Sequence, residues 1–530
     1  MSDYDAIIIG AGHNGLTCAA YLGRAGLRVK VLERRPFIGG ATLTEEFHPG
    51  FKNSVYSYGI SLLSPQVINE LELHKHGLEI LERPAGTISL LDNDYLLLPR
   101  NEQAAKEQIG RFSKNDVKAI DEFERRIADV ALVLRQTVNI TPPNIGGGWR
   151  DLLQSLKMGN QLRGFDAVQQ ATFAELMSKS LGDYLDSWFE GEALKGVLGL
   201  EGVIGNFAEP YHANTAYVLL HHAFGEVNGR TGAWGIARGG MGAISGAMAS
   251  YARTKNVDIE TDTPVREIIV NEGKVTGVIT ESGKRYTSSI VAGNVHPRTL
   301  LTKMLDPGLL SEDELRRINN YRSHSATFRM NVALSELPRF DHLPECNEEF
   351  LSGAIEMCPS LSYIQKAYYD ARETGWSKKP VISMWIPTTQ DNTLAPKGGH
   401  VASLFCQHFC RHLPGQQSWD DVKDDVANLI IDTVAEHASN FKASIVGVQV
   451  KSPLDIERDL GMVGGDIFHG ALHLDQLASL RPIAGRANYR MPADGLYLCG
   501  SGAHPGGGVT GIPGRNAARE ILNDSKRRLA

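Results

Sequence analysis

The stretch DAIIIGAGHNGLTCAAYLGRAGLRVKVLE, residues 5–33, decides the fold. Ala6-Ile7-Ile8-Ile9 is a short continuous apolar run that ends at a glycine. That is how a strand buried on both faces reads. Gly10, Gly12 and Gly15 follow in the spacing G-x-G-x-x-G, with His13 and Asn14 inside the turn. An amphipathic run from Leu16 to Ala25 predicts a helix, with Gly26 as its C-cap. Val29 to Leu32 is a second strand, and it ends at Glu33. Glycines at this spacing are weak evidence alone. Between a strand and a helix, with an acid closing the next strand, they mark a dinucleotide-binding unit. Gly10 permits the tight turn, Gly12 leaves room for a pyrophosphate, and Gly15 lets helix and strand pack closely. The helix N-terminus offers free amides and a partial positive charge to phosphates, and Glu33 is placed to accept from ribose hydroxyls.

The chain has 530 residues, enough for two intertwined domains, and 42% are hydrophobic. A net charge of −7 argues against nucleic-acid binding. No apolar run reaches the ~18 residues of a membrane span. The first residues carry no signal or transit pattern. With six scattered cysteines, the expected compartment is the cytoplasm, or a mitochondrial matrix if the chain is eukaryotic and processed.

From Ser61 to Arg230 helical patterns dominate, such as Asp116 to Leu134 and Ala174 to Phe189. Trp149, Leu152, Leu153 and Leu156 fall at helical spacing, with Arg150, Lys157 and Arg163 nearby. A face covering the substrate domain is the favoured reading, because Gly159 and Gly164 interrupt the pattern. A membrane-surface helix is the alternative. Gly239-Gly240-Met241-Gly242 imitates a second dinucleotide turn, but no clear buried strand precedes it. It reads as a loop opening a helix from Ala243 to Thr254. Cys406, His408, Cys410 and His412 suggest a metal cluster. They lie on an apolar strand-like run without a second ligand group, so they read as buried strand residues.

After Glu33 and Arg34 comes Gly39-Gly40-Ala41-Thr42. An acid followed closely by a glycine pair resembles FAD-binding families of the glutathione-reductase type. That resemblance implies FAD, with Gly39 and Gly40 beside the pyrophosphate and Arg34 and Thr42 in the same site. Ala41 stands where many amine-oxidase members have arginine, so one phosphate contact is absent or made by another residue. The strands from Val257 to Ala292, ending at Gly293-Asn294, resemble the return of the chain to the nucleotide domain in the same families. There a valine at the position of Val265 meets the adenine through its backbone, and Asn294 lies near the pyrophosphate.

The last fifty residues or so hold the other signature. Leu496-Tyr497-Leu498-Cys499 is a strand running into Gly500-Ser501-Gly502, then His504-Pro505-Gly506-Gly507-Gly508-Val509-Thr510, then a helix from about Pro513 to Leu522. This unit resembles the phytoene desaturases and the flavin amine oxidases. Together with Gly232-Ala233-Trp234-Gly235 and Ile467-Phe468-His469, it makes nearly the whole chain resemble the phytoene-desaturase-like group of FAD oxidoreductases. The resemblance implies that Gly500, Ser501, Gly507, Gly508, Val509 and Thr510 pass the flavin, with the helix dipole stabilising negative charge on the reduced ring. It puts His504 near the ring, either as a general base or as a residue shaping the glycine turn. A disulphide reductase is disfavoured, since Ala41 to Glu46 contains no cysteine, and no second nucleotide domain is evident for NAD(P)H.

The expected fold is therefore α/β, a Rossmann-type FAD domain built from discontinuous segments (1–60, 231–300 and 491–530). A mixed α+β substrate domain fills 61–230 and 301–490. The expected reaction is oxidation or desaturation of a largely apolar small molecule by hydride transfer to flavin N5, with oxygen, a quinone or a protein as electron acceptor. Flavin amine oxidation and a partner-binding regulator with little turnover are the alternatives. Peripheral membrane contact and homo-oligomerisation are left open.

Overall fold

Ala6–Ile9 forms β1, buried along its whole length, and the chain then enters α1 (His13–Arg24) and β2 (Val29–Leu32). The computed structural model in which these elements are seen describes residues 2–343 and 348–529. Three later segments return to the same sheet. After α2 (Gly242–Arg253) comes β3 (Val257–Glu260). After an antiparallel meander comes β4 (Val291–Gly293). Near the C-terminus β5 (Leu496–Leu498) leads to α3 (Ile512–Leu529). The order is β3-β2-β1-β4-β5, and every pair is parallel. Ile8 pairs with Val31 on one side and Ala292 on the other. β1 is central, which is why its sequence is apolar without alternation. α1 packs against both α2 and α3. The approach to α3 is close: a Cβ at Gly514 would lie 2.1 Å from the Asn14 carbonyl oxygen.

The second body is a seven-stranded sheet in the order Ile445–Lys451, Phe328–Leu334, His400–Phe409, Trp376–Trp385, Ala354–Met357, Thr87–Leu90, Tyr95–Leu98. All pairs are antiparallel except Ala354–Met357 with Thr87–Leu90. Two strands thus come from early in the chain and five from late. A helical layer between Lys114 and His222 has its own core around Phe123, Tyr184 and Leu200.

The apolar core of the nucleotide unit reaches past the boundaries expected from motifs. It takes in Val67, Leu71 and Leu78 beyond residue 60, and Leu301, Met304 and Ile318 beyond residue 300. Motifs mark the cofactor turns, whereas burial recruits whatever turns flank the sheet.

Local readings changed in two places. The run Ala174–Phe189 is two helices, Ala167–Ser178 and Leu181–Asp186, because the Ser180 hydroxyl accepts from the Asp183 N–H and starts a new helix. The helix Trp149–Leu162 forms, but its apolar face covers nothing. Trp149, Leu152, Leu153 and Leu156 are 67, 62, 54 and 62% exposed. The expectation that this face packs on the substrate domain is corrected. Gly159 lies within the helix without ending it, and Gly164 lies just past its end.

Candidate functional site

A cavity of about 440 Å³ runs from the ends of β1 and β2 to the face of the seven-stranded sheet. At its nucleotide end main chain predominates. Gly12 is the N-cap of α1, in extended conformation, and as a glycine it has no capping side chain of its own; the Asn294 side-chain amide is turned toward the Gly12 and Gly15 N–H groups. The first turn carries no acid, so its remaining amides are left for a ligand, where a phosphate is favoured. A Cβ at Gly12 would meet the Asn294 side-chain nitrogen at 2.9 Å, and one at Gly15 would meet the Gly10 carbonyl oxygen at 2.1 Å. Gly10 has φ +94°, a conformation that favours glycine.

Glu33 is buried on the cavity wall. Its two oxygens accept from the N–H groups of Ala11 (2.7 Å) and Arg35 (3.0 Å). Each oxygen retains acceptor capacity for a ligand hydroxyl. Arg34 also lines the cavity, but its guanidinium donates to the carbonyls of Arg458 (2.9 Å) and Asp459 (2.7 Å). Gly39 and Gly40 have φ of +121° and +56°, and a Cβ at Gly40 would lie 3.3 Å from Cα of Gly12, so the two glycine turns touch. Ala41 lines the cavity, and its carbonyl is held by the Ser57 hydroxyl at 2.7 Å. Thr42 turns inward, donating to the Gly39 carbonyl at 2.8 Å.

Val265 and Asn294 come to the same cavity from the meander and the end of β4. The C-terminal turn closes it with Ser501, Gly508 and Val509. Ser501 accepts from the Asn14 amide at 3.1 Å and so ties the first helix to the last turn. Gly500 sits against Asn294, and Gly507 against Phe468: a Cβ at Gly507 would be 2.9 Å from Cα of Phe468. Thr510 does not line the cavity; its hydroxyl accepts from the Ile512 N–H at 3.1 Å at the start of α3.

His504, like Asn14, Gly15, Gly39, Thr42, Gly500, Gly507 and Thr510, is not on the cavity wall. Its Nε2 lies 3.4 Å from the Thr137 carbonyl, and burial lowers its pKa to about 4. The structure sets it behind the glycine turn, against the end of the helix Lys114–Val138.

A dinucleotide fits these residues. The buried His13 Nε2 and Asn14 Oδ1 have no partner among the described residues. Burial pushes the His13 pKa down to about 4, which leaves a neutral imidazole at the start of α1. Side chains at Gly12 or Gly40 would fill the space between the two turns.

The opposite end is built from side chains that sequence reading missed as a group. Tyr58, Leu62, Ile204, His222, Trp234, Arg329 and Phe468 line it. His222 stacks on Trp234 at 6.2 Å and gives its Nδ1 to the Val218 carbonyl; burial lowers its pKa to about 4. Tyr58 meets Trp385 edge-on at 5.2 Å. Arg481, fully buried, joins the two ends. It donates to the carbonyls of Phe468 (2.7 Å), Gly470 (3.3 Å), Gln476 (3.2 Å) and Ser501 (2.9 Å). No motif surrounds this arginine, and only its burial reveals it.

Cys18 and Cys499 are buried side by side between α1 and β5, and their contact and burial hold the Cys18 thiol well above its usual range. Cys406 and His408 are buried in the strand His400–Phe409, but Cys410 and His412 lie past its end, half-buried and exposed respectively, so the reading of all four as buried strand residues is corrected for these two. Among the described residues no three histidine, cysteine or acidic side chains converge as a metal site.

Residues 15–522 match the model of the flavin containing amine oxidoreductases. The chain is 38% identical over 546 residues to pyridine nucleotide-disulfide oxidoreductase domain-containing protein 2 of Rattus norvegicus, covering 99% of this chain and 94% of that one. It is 22% identical to the lycopene-forming phytoene desaturase of Pantoea ananas, over 96% of each chain. Among solved structures, cyclohexylamine oxidase from Brevibacterium oxydans superposes with a TM-score of 0.60 at 17% identity, covering 99% of this chain and 100% of that one. With its parallel nucleotide sheet, glycine turn and near full-length match, the chain belongs to the flavin-containing amine oxidoreductase family and is an FAD-dependent oxidoreductase.

Proposed function

We propose that this oxidoreductase dehydrogenates a largely apolar small molecule held at the aromatic end of the cavity. One observation carries the reading: a single cavity has the nucleotide turns at one end and Tyr58, Leu62, Ile204, Trp234 and Phe468 at the other. The chemistry that FAD supplies when bound is acceptance of a hydride at N5. Gly10, Gly12, Glu33, Gly40 and Asn294 would hold its nucleotide half, and Ser501, Gly508 and Val509 its ring. The aromatic wall orients the substrate and excludes water. His222 and His469, with pKa values lowered to about 4 and about 3, stay neutral and add no charge near the reacting carbon. His504 shapes the turn rather than moving a proton. Oxygen, a quinone or a protein then takes the electrons.

Anaerobic mixing tests this. Alkenes or lipids should bleach the flavin faster than amines of equal size. Faster bleaching by amines would favour amine oxidation, and bleaching by none, with flavin-dependent partner binding, would favour a regulator. The cation Arg329 on the cavity wall speaks against a protonated amine. NADH and NADPH should reduce the flavin poorly, because the second glycine turn, Gly239–Gly242, leads into α2 of the same FAD unit and builds no separate nucleotide domain.

The same reading extends to delivery of an apolar substrate. The exposed face of Trp149, Leu152, Leu153 and Leu156, flanked by the exposed Arg150, Lys157 and Arg163, suits an anionic lipid surface. No described helix is long and apolar enough to cross a membrane. Flotation with vesicles containing anionic lipid should carry the protein, and Leu153→Glu should release it. Equal flotation with neutral vesicles would leave the charges without a role.

A further inference from the structure

Two arginines are buried behind the aromatic wall, and they differ in how their charge is met. Arg83 lies 4.7 Å from the Trp385 ring and in the field of two acids, Glu356 and Glu201, whose own pKa values burial raises, Glu356 to about 8. Arg329 has no such acid. It sits on the inner strand Phe328–Leu334 and is 2% exposed, yet it lines the cavity. Its guanidinium donates to the Leu404 carbonyl (2.6 Å) and the Ser403 hydroxyl (2.8 Å), and it lies 4.4 Å from the Tyr58 ring. Its Nε has no partner, and no carboxylate pairs with it among the described residues.

A buried, unpaired cation is costly unless something compensates it. The neutral acceptors and the tyrosine face offset only part of that cost. Burial accordingly pulls the Arg329 pKa down to about 10, which leaves it charged at neutral pH. The remaining N–H groups of a planar, forked donor match a carboxylate or another oxyanion. Leu62, Ile204, Trp234 and Phe468 offer the same cavity an apolar lining.

We propose that Arg329 is a substrate-recognition residue that binds an acidic group, so that the substrate is an apolar chain or ring bearing one carboxylate. This rests on the reading of the aromatic end as the substrate site. The free carboxylate compensates the buried charge, and its bonds to Arg329 fix which carbon of the apolar part lies toward the flavin.

The test uses the oxidised holoenzyme and four probes: octanoate, octanol, octylamine and acetate. Binding is read from the flavin absorption spectrum and from the thermal shift. Octanoate should bind saturably, and octanol and octylamine at least about tenfold more weakly. Arg329→Met should keep FAD and lose about 10- to 150-fold in octanoate affinity, the range for a hydrogen bond to a charged group. Arg329→Lys should recover part of it. Octanol binding as tightly as octanoate, or no octanoate binding, overturns the proposal on the wild-type protein, whether or not the variants fold. A Met variant that shifts the flavin potential and keeps its octanoate affinity also overturns it, and assigns the cation to the flavin instead. Acetate binding as tightly as octanoate is a separate failure, that of the apolar site itself.

Discussion

The two ends of the cavity are built by different means. At the nucleotide end, glycine turns and a helix N-terminus do most of the work, and the shape depends on what side chains are missing. At the aromatic end, side chains from residues as far apart as Tyr58, Trp234, Arg329 and Phe468 meet. The difference predicts that one end fails when an atom is added and the other when atoms are removed. Substitutions can probe that contrast directly.

The largest effect should come from adding atoms at the nucleotide end. Gly12→Asp places a Cβ 2.9 Å from the Asn294 amide and sets a carboxylate where the phosphates belong. The variant is expected to purify without FAD; full FAD occupancy would break the comparison at its base.

Removing the joint between the ends comes next. Arg481→Met leaves four carbonyls without their shared donor. The expected loss is on the order of 1–3 kcal/mol, the cost of leaving buried acceptors without a donor. Thermal denaturation of the holoenzyme measures it. An unchanged melting point would mean that water replaces the guanidinium.

Acid should weaken both ends together. The buried His13 and His222 have pKa values lowered to about 4, and His221 to about 3. The unfolded chain therefore binds more protons than the folded one between about pH 4 and the ordinary histidine value near 6.5. Stability accordingly rises with pH through that window and is lost as pH falls from about 6.5 toward 4. Melting temperatures at pH 7.5, 6 and 5 should fall in that order, less steeply than the histidines alone would give, because burial raises Glu356 to about 8 and Asp466 to about 6 and these two favour the folded chain as pH falls. A flat profile would show that these rings are more hydrated than their burial indicates.

The smallest effect is expected at His504. Because it lies off the cavity, His504→Gln should keep FAD, shift the flavin potential slightly and slow reduction by less than about tenfold. Removal of a general base costs ~10²–10⁴-fold. A loss of that size with an unchanged potential would move His504 from the turn to the chemistry.

Much of the nucleotide unit was legible because its signals are local. The apolar run of β1, the Gly10–Gly15 turn and the strands around Val257, Val291 and Leu496 each announce themselves within a few residues. The seven-stranded sheet was not legible beyond the run Val401–Phe409. Its strand Thr87–Leu90 pairs with Ala354–Met357, and nothing in either short segment encodes so distant a partner. The helix Trp149–Leu162 was found by its periodicity. Periodicity places residues on one face but does not say what covers that face.

The sequence by itself determined the glycine turns at one end of the cavity, because main-chain geometry there depends on glycine at a few adjacent positions. Only the tertiary structure decided that Arg481 joins the two halves, that Arg329 is buried with no acid paired to it among the described residues, and that His504 lies off the cavity wall. Burial and pairing are properties of residues distant in the chain. An arginine in a strand or a loop reads the same in sequence, whether folding leaves it in water or closes it inside.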